Sequence, residues 1–479
     1  MVDDIATSRS QQHGILGSIT FATFIVSLDI YIVSISLPTI AHHFDVGTSD
    51  VASVMLAYLL VLTSTLLVFG KLCDRFGFKK VFSLGFYVFT IGSFLCGVSP
   101  TLQMLVCARC LQGLGGAMLV AAGPAMIPRY LPEEHRGWAF GINSTAAGLG
   151  MALGAPVGGF ITELLTWNWI FLVNVPLGIA AIFFARRVIP SEKPPAISRM
   201  KGPSFDVVGA LLSFVGLLFL IYALNRGQEA EWASALTISA FLASGVLLVS
   251  FVIWEGRCHD PLLDLSLFRI RSFFYATLAS VAALVLYGGS LFLLPFYLVF
   301  VKNLSPGMAG LVLMIYAVVY TLVSPLMGRL SDKVSPRILC SSGMALATAA
   351  CIFFASTLQL PALAPVIVYI VWLGVSYGMF NAPNNNLVMS VVPEDRQGIA
   401  SGVFRTMRSV GLVIGVALFE TIFSMVIPQT VLDASLSRVA LPPDILVTGF
   451  RNCYIVGAFV CGLALVLYLL AKEKERPEA

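Results

Sequence analysis

The chain has 479 residues, of which 58% are hydrophobic and only 11% are charged, and its formal net charge is +4. This composition excludes an ordinary soluble domain, in which about a quarter of the residues are charged. It is typical of an integral membrane protein, and so small a positive charge gives no reason to expect a nucleic-acid partner.

Long apolar stretches recur along the whole sequence. A bilayer core of roughly 30 Å needs about 20 mostly apolar residues for each crossing helix. By that rule the sequence predicts an all-α integral membrane protein with fourteen transmembrane helices, near 14–41, 51–70, 80–99, 103–128, 138–163, 168–189, 207–225, 233–254, 272–301, 308–327, 338–357, 361–391, 402–427 and 451–471. The first stretch is too long, and too interrupted by polar residues, for a signal peptide.

The 29 Lys and Arg residues alternate between the gaps that separate these stretches. Twenty-four, with Arg405 and Arg408 among them, are assigned to the termini or to every second gap, four lie in the other gaps, and only Arg109 is assigned to the inside of a stretch. Cytoplasmic loops are enriched in cations. We therefore expect a multi-pass protein of the cell (plasma or inner) membrane, with the N-terminal residues 1–13 and the tail 472–479 both cytoplasmic.

Two pairs of loops resemble each other at nearly the same separation. GKLCDRFGFKK (70–80) is similar to GRLSDKVSPR (328–337), and PEEHRGWAFG (132–141) is similar to PEDRQGIASG (393–402). Two matches at nearly one offset predict an internal duplication. The predicted arrangement is 6 + 2 + 6 helices: a six-helix bundle (14–190), a linker (191–206), an inserted helix pair (207–255), a second linker (256–271) and a second six-helix bundle (272–471).

Asp29 and Arg109 are the charged residues that the pattern leaves deepest in apolar helices. Helix rise places Asp29 about 22 Å from the cytoplasmic edge and Arg109 about 9 Å below the outer edge, so their depths nearly coincide. Either charge alone is costly in hydrocarbon, whereas the two can neutralise each other. A static ion pair that fixes helix packing is one interpretation. The other is a proton switch, because burial favours the neutral carboxyl and a nearby guanidinium favours the carboxylate.

Further polar and aromatic residues in the spans are candidates for the same function. Gln112 follows Arg109 by one helical turn and can join its hydrogen bonds. Glu420 is a second candidate proton site or a residue at the outer water boundary, and for Glu163, near the end of its span, solvation is a sufficient explanation. Aromatic residues of the second bundle can line a substrate cavity, although packing or lipid contact is the alternative for each: Tyr297, Trp372 and Tyr377.

Small residues and missing motifs limit the remaining possibilities. The segment GLGMALGAPVGGFI carries Gly154, Pro156, Gly158 and Gly159, and such spacing lets helix backbones approach closely. No G-x-x-x-x-G-K-[ST] motif for nucleotide hydrolysis occurs. No His and Cys residues have the spacing of metal ligands, so we expect no cofactor, no metal site and no enzymatic activity.

At these residues the chain resembles the major facilitator superfamily, specifically its fourteen-span drug:proton antiporters, over nearly its whole length. GKLCDRFGFKK is similar to the family's cytoplasmic loop signature, VCARCLQGLGGAM to its fourth-span motif, GLGMALGAPVGG to its fifth-span antiporter motif and SLDIYIVSISLPTI to its first-span motif. The matching loop positions are Gly70, Asp74, Arg75 and Gly77. TWNWIFLVNVPLG (166–178), FDVVG (205–209) and DPLLDLSLFR (260–269) are similar to segments of the fourteen-span branch.

The resemblance implies two six-helix bundles that rock around a central site, with the loop signature stabilising one conformation. It also implies proton-driven export of amphipathic, often cationic molecules, with Tyr31 and Ser34 facing the cavity. The expected partners are a small-molecule substrate, protons and membrane lipid, and the expected state is a monomer. A specific exporter or importer of one metabolite is the alternative within transport, and a non-transporting membrane receptor or scaffold is the alternative outside it.

Overall fold

A computed structural model describes residues 9–190, 206–229, 234–258, 265–331, 333–392, 397–426 and 443–471. Their α-helices are α1 (Arg9–Phe44), α2 (Thr48–Phe76), α3 (Phe78–Gly97), α4 (Leu102–Tyr130), α5 (Glu133–Leu164), α6 (Trp169–Leu172), α7 (Asn174–Val188), α8 (Val207–Glu229), α9 (Ala235–Glu255), α10 (Arg271–Phe296), α11 (Pro306–Leu330), α12 (Pro336–Thr357), α13 (Ala364–Ser390), α14 (Gln397–Val426) and α15 (Pro443–Leu470). A short 3-10 helix, Leu265–Arg269, precedes α10, and a π-helical turn, Tyr297–Val301, extends it.

The protein is an all-helical membrane protein. Helices suit a membrane because they satisfy every backbone hydrogen bond within the apolar segment itself. The described residues contain thirteen helical segments long and apolar enough to cross a membrane, and α6 and α7 together supply one of them. In α8 the described apolar stretch, 208–220, is shorter. The predicted total of fourteen and the 6 + 2 + 6 division therefore stay predictions. Residues 1–8, 191–205 and 472–479 of the predicted terminus, linker and tail lie outside the described residues.

The helix ends follow local sequence signals. Thr101, Ser234 and Ser305 each accept a hydrogen bond from a backbone N–H in the first turn of the helix that follows, which satisfies a donor with no partner inside that helix. Gly77 joins α2 to α3 with φ of 91°, a left-handed value that glycine adopts without a steric penalty. The predicted loop residue Gly70 lies in α2, where nothing would touch an added Cβ within 4 Å.

The helices pack into two sets that repeat each other in order. In the first set α1 packs against α5, α2 and α3 pack against α4, and α3 also packs against α7. In the second set the corresponding pairs are α10 with α14, α11 and α12 with α13, and α12 with α15. Helices α8 and α9 pack on each other, and α8 also contacts α2 and α14. The inserted pair therefore lies beside one helix from each set. We call α1–α7 the first half and α10–α15 the second half.

Side-chain hydrogen bonds to backbone carbonyls join helices at both ends of the molecule. At the end that we call the basic end, Lys79 at the start of α3 donates a hydrogen bond to the carbonyl of Ile189 after α7. Arg337 at the start of α12 likewise bonds to the carbonyl of Tyr468 near the end of α15. At the opposite, distal end, the Asn168 amide donates to the Gly97 carbonyl at 2.8 Å.

The halves meet at the distal end through specific contacts. Deeper in the bundle, the Ser34 hydroxyl of α1 donates to the Leu291 carbonyl of α10 at 2.5 Å. The Glu163 carboxylate of α5 accepts a hydrogen bond at 2.9 Å from the backbone N–H of Gly307, in the first turn of α11. A carboxylate in that position also interacts favourably with the positive end of the helix dipole. From the sequence, solvation is a sufficient explanation for Glu163, whereas in the structure this residue joins the two halves.

The predicted glycine motif of α5 forms two seams. Added Cβ atoms at Gly154 and Gly158 would meet the backbone of α1, at 2.9 Å from the Leu28 carbonyl oxygen and 2.6 Å from that of Ile32. A Cβ at Gly159 would instead overlap the Pro306 carbonyl in the other half. Pro156 lies between these glycines inside the helix. The motif therefore holds α5 against its own half on one face and against α11 on another.

Candidate functional site

Asp29 and Arg109 form a buried ion pair inside the first half. The carboxylate oxygen Oδ2 of Asp29, on α1, lies 2.7 Å from the guanidinium nitrogen Nη1 of Arg109, on α4. Both side chains are almost completely buried, with 0% and 1% of their surface exposed. The structure brings together the two residues whose depths in the sequence matched. Their role in proton coupling stays a prediction.

Two amide side chains complete the coordination of the Asp29 carboxylate. Its second oxygen, Oδ1, accepts hydrogen bonds from Gln112 at 2.8 Å and from Asn174 of α7 at 2.9 Å. Gln112 also accepts from Arg109 at 2.7 Å and donates to the Ser93 hydroxyl of α3 at 2.9 Å. The sequence points to Gln112 through its spacing from Arg109. It does not point to Asn174 or Ser93, which stand out only as polar residues within apolar segments.

The rest of the Arg109 side chain is held by the surrounding helices. Its Nε donates to the Val54 carbonyl of α2 at 3.1 Å. The guanidinium carbon lies 4.2 Å from the centre of the Tyr58 ring and 5.7 Å from that of Phe171. Aromatic faces attract cations most strongly when both are removed from water. Arg109 therefore has an ion pair, hydrogen bonds and ring contacts in place of hydration.

Every partner in this network belongs to the first half. Asp29, Ser93, Arg109, Gln112 and Asn174 lie on α1, α3, α4 and α7 of that half, so a rigid movement of one half against the other leaves these contacts unchanged. Protonation of Asp29 would remove the counter-ion of a buried guanidinium, and breaking a buried pair in this way costs about 3–5 kcal/mol. Separation of the pair therefore requires a shift of helices within this half, or another group in place of the carboxylate.

Glu420 lies at a different place, on the boundary between the halves. It is fully buried on α14, and its carboxylate accepts a 2.5 Å hydrogen bond from the Ser49 hydroxyl at the distal start of α2. Unlike Asp29, this carboxylate has a partner that a relative movement of the halves would displace. Its role as a second proton site stays a prediction.

The predicted cavity residues fall into different environments. Tyr31 is largely buried on α1 beside Gly154, and Ser34 makes the contact to α10 described above. Tyr297 is fully buried in the second half and donates to the Leu358 carbonyl at 2.9 Å. Trp372 lies against Phe353, with ring centres 5.4 Å apart. In this structure these residues are not gathered in one place.

Tyr377 belongs to a cluster of four tyrosines in the second half, which we call the tyrosine cluster. Its ring is stacked on that of Tyr287 with centres 4.9 Å apart, and it lies 5.1 Å from Tyr320 and 6.2 Å from Tyr316. The four come from α10, α11 and α13. The sequence gives no reason to connect Tyr316 and Tyr320 with Tyr377, because no spacing along one helix relates them to it.

Arg408 faces this cluster, which corrects an expectation from the sequence. We assigned Arg405 and Arg408 to a cytoplasmic gap, but both lie inside α14, in the part of that helix apolar enough to span a membrane. The Arg408 guanidinium donates to the Tyr377 hydroxyl at 2.9 Å, and its carbon lies 5.5 Å from the centre of the Phe404 ring. Arg109 is therefore not the only cation at membrane depth. The first turns of α14 are polar, and for this reason the sequence assigns both arginines to the preceding loop.

The remaining predicted positions belong to the loop signature between α2 and α3. Asp74 and Arg75 lie in the last turns of α2, and their side chains are outside the described part of the structure. Their proposed role in stabilising one conformation is therefore untested.

Comparison with known proteins agrees with this architecture. The pattern of the Major Facilitator Superfamily matches residues 19–416. The riboflavin transporter RibZ of Clostridioides difficile (strain 630) is 32% identical over 464 residues, which covers 97% of this chain and 98% of that protein. The multidrug resistance protein Stp of Mycobacterium tuberculosis (strain CDC 1551 / Oshkosh) is 29% identical, over 88% of this chain and 77% of its own.

Solved structures give the same fold. A bacterial homolog of the human lysosomal transporter Spinster, in an inward-facing and unoccupied conformation, superposes with a TM-score of 0.68 at 15% identity, covering 97% of this chain and 98% of that one. The membrane-spanning helices and the family pattern identify the protein as a membrane transporter. The chain belongs to the Major Facilitator Superfamily.

Proposed function

We propose that this protein is a secondary active transporter that exports amphipathic small molecules, drugs among them, in exchange for protons by alternating access. The observation that carries the proposal is the buried Asp29–Arg109 ion pair. A buried ionisable pair within membrane helices is costly to keep for packing alone and is typical of proton relays. The similarity to a multidrug resistance protein supports the export of drugs.

In this mechanism Asp29 carries the proton and Arg109 controls its release. When substrate or helix movement draws the guanidinium away, burial favours the neutral carboxyl, and when Arg109 returns the proton leaves. Glu420 is the second proposed acidic site, since its bond to Ser49 breaks when the distal end opens. One proton crossing 100 mV supplies about 2.3 kcal/mol, so a small number of protons suffices.

The test is proton-driven uptake into everted membrane vesicles with an imposed pH gradient, for a panel of amphipathic dyes and riboflavin. We expect Asp29→Asn to abolish uptake driven by the gradient while keeping exchange of labelled for unlabelled substrate without a gradient. Asp45→Asn is the matched control, because Asp45 is exposed and its φ of 53° suits asparagine equally well. Full gradient-driven uptake by Asp29→Asn would refute the proton role. Transport of nothing in the panel by the unaltered protein would favour a receptor or scaffold.

A second candidate function is the export or import of one metabolite. It is favoured by the 32% identity to a riboflavin transporter over 97% of the chain. Competition separates the two candidates: a drug exporter gives mutual inhibition among unrelated dyes, whereas a metabolite transporter is inhibited by close chemical relatives of its substrate only.

A further inference from the structure

The tyrosine cluster lies near the middle of the membrane helices that carry it. Helix rise puts Tyr377 about 20 Å from the distal start of α13 and Arg408 about 17 Å from the basic start of α14. Tyr320, Tyr377 and Arg408 are each partly exposed, although they lie inside a helical bundle. On α13, Asn385 lies two turns nearer the basic end and is exposed. The cluster therefore keeps side-chain surface that a ligand can contact.

The rings offer flat surfaces to a flat molecule. Tyr287 and Tyr377 are stacked within 18° of parallel, and Tyr320 is inclined by 50° to Tyr377. Aromatic rings prefer offset-stacked or edge-to-face neighbours at such separations, and the gain adds to the burial of apolar area. A planar aromatic molecule can continue this stack on a partly exposed tyrosine ring.

The Arg408 guanidinium favours bound molecules that are uncharged or anionic over cationic ones. Among the described residues no carboxylate lies within 4 Å of it, in contrast to Arg109. Guanidinium presents five N–H donors in a fixed fork, of which the bond to Tyr377 uses one. A carbonyl or anionic oxygen would satisfy the remaining donors, and a cationic molecule would be repelled.

Asn381 supplies a complementary acceptor. Its amide nitrogen donates to the Tyr320 hydroxyl at 2.7 Å. Its amide oxygen is buried and has no hydrogen-bond partner among the described residues. Buried polar atoms are nearly always paired in native structures, so a free one beside an aromatic cluster points to a missing ligand or water.

From these contacts we propose that Tyr320, Tyr377, Asn381 and Arg408 bind planar heteroaromatic molecules that are uncharged or anionic and carry both hydrogen-bond acceptors and an N–H donor on one edge. Stacking on the tyrosines supplies affinity, Arg408 binds the acceptors, and the Asn381 oxygen accepts from the N–H. This inference rests on the proposed transport function and narrows its substrates, since a site with this charge disfavours the cationic drugs that the sequence suggested.

Equilibrium binding to the purified full-length protein in lipid nanodiscs, without any gradient, tests the site. The probes are riboflavin, a planar uncharged molecule with an imide edge, and ethidium, a planar cation. We expect riboflavin to bind at least about tenfold more tightly than ethidium, and Tyr377→Leu and Arg408→Gln each to weaken riboflavin about tenfold, as the loss of one charged hydrogen bond or one stacked ring would. Arg408→Gln should also strengthen ethidium binding.

Matched controls lie on α10. Arg271→Gln removes the same charge from an exposed position, and Tyr275→Leu removes a tyrosine three turns from Tyr287. Neither should change riboflavin affinity, and Asn381→Leu serves as a third site variant if one of the others does not fold.

Tighter binding of ethidium than riboflavin, unchanged affinities in folded Arg408→Gln, or no binding of either probe by the folded protein would overturn the proposal. Asp29→Asn keeps riboflavin binding if this site is correct, so a failure of proton coupling and a failure of the site give different results.

Discussion

The hydroxyl of Ser49 and the carboxylate of Glu420 lie 2.5 Å apart, although 371 positions separate them in the chain and they belong to opposite halves. Together with the contact of Glu163 to Gly307, this bond joins the two halves at the distal end. Hydrogen bonds to a charged group contribute about 1.5–3 kcal/mol, which is enough to decide between two conformations of similar energy. A group that takes up a proton at this position can therefore control which end of the transporter opens.

Removal of this bond should favour opening at the distal end. We expect Ser49→Ala to raise the population of the distally open form by about tenfold, following the energy of one charged hydrogen bond. The measurement is the distribution of distances between spin labels at Val98 and Leu360, two exposed positions of opposite halves, in a background without native cysteines. Ser53→Ala is the control, because Ser53 bonds only to a carbonyl of its own helix. An unchanged distribution in Ser49→Ala would show that the bond does not hold the end closed.

Three glycines of α5 should respond differently to the same substitution. Gly159→Ala places a methyl group against Pro306 of the other half, so we expect it to disfavour the closed distal end and to slow transport. Gly158→Ala places a methyl group against Ile32 within the same half. Such overpacking destabilises the folded protein by about 1–3 kcal/mol, so this variant should have a lower melting temperature. Gly141→Ala meets no atom of the described residues within 4 Å and should change neither property. Equal effects of all three would contradict the assignment of the two seams.

The ion pair should show strong coupling in a double-mutant cycle. Arg109→Gln leaves the Asp29 carboxylate buried without a counter-ion, and we expect a loss of about 3–5 kcal/mol in the free energy of unfolding. The double variant Asp29→Asn/Arg109→Gln should be more stable than the sum of the single effects predicts, because it removes both charges. Arg186→Gln, which removes an exposed cation packed over Tyr87, serves as the control. Additive losses would show that the two residues do not stabilise each other.

The orientation of the chain is a separate prediction. Because cations concentrate in the loops at the basic end, that end and both termini should face the cytoplasm. Single cysteines at exposed positions His135 and Leu360, in a cysteine-free background, should react with a membrane-impermeant thiol reagent from opposite sides of sealed vesicles. Reaction of both from the same side would refute the predicted topology.

The helical membrane fold and the Asp29–Arg109 pairing could be predicted because they follow from properties of single helices. Hydropathy fixes where a helix crosses, and a rise of 1.5 Å per residue converts sequence position into depth. These quantities also bring Gln112 to the pair, since it follows Arg109 by three residues. They say nothing about rotation around the helix axis in three dimensions. Asn174 and Ser93, which complete the network from other helices, could not be found in this way.

The tyrosine cluster was hidden for the same reason. Tyr287, Tyr320 and Tyr377 come from three helices and meet only because those helices pack in a particular order. Arg408 was missed for a different reason: it follows a polar loop so closely that its cation was counted with the loop. Trp372 and Tyr297 stay predictions, since an aromatic side chain in a membrane helix has the same sequence signal whether it packs against a neighbour or faces a cavity.

The confinement of Asp29 and Arg109 to one half also bears on the electrical behaviour expected of the proposed proton exchange. While the two charges stay paired, they form a dipole with no net charge. Rocking of the half then moves almost no net charge through the membrane field. Electrical work of about 2.3 kcal/mol per 100 mV is gained only by unpaired charge that crosses the field. If one proton is exchanged for an uncharged molecule, the proton is then the only net charge that crosses the membrane. The measured transport current would therefore give the number of protons moved.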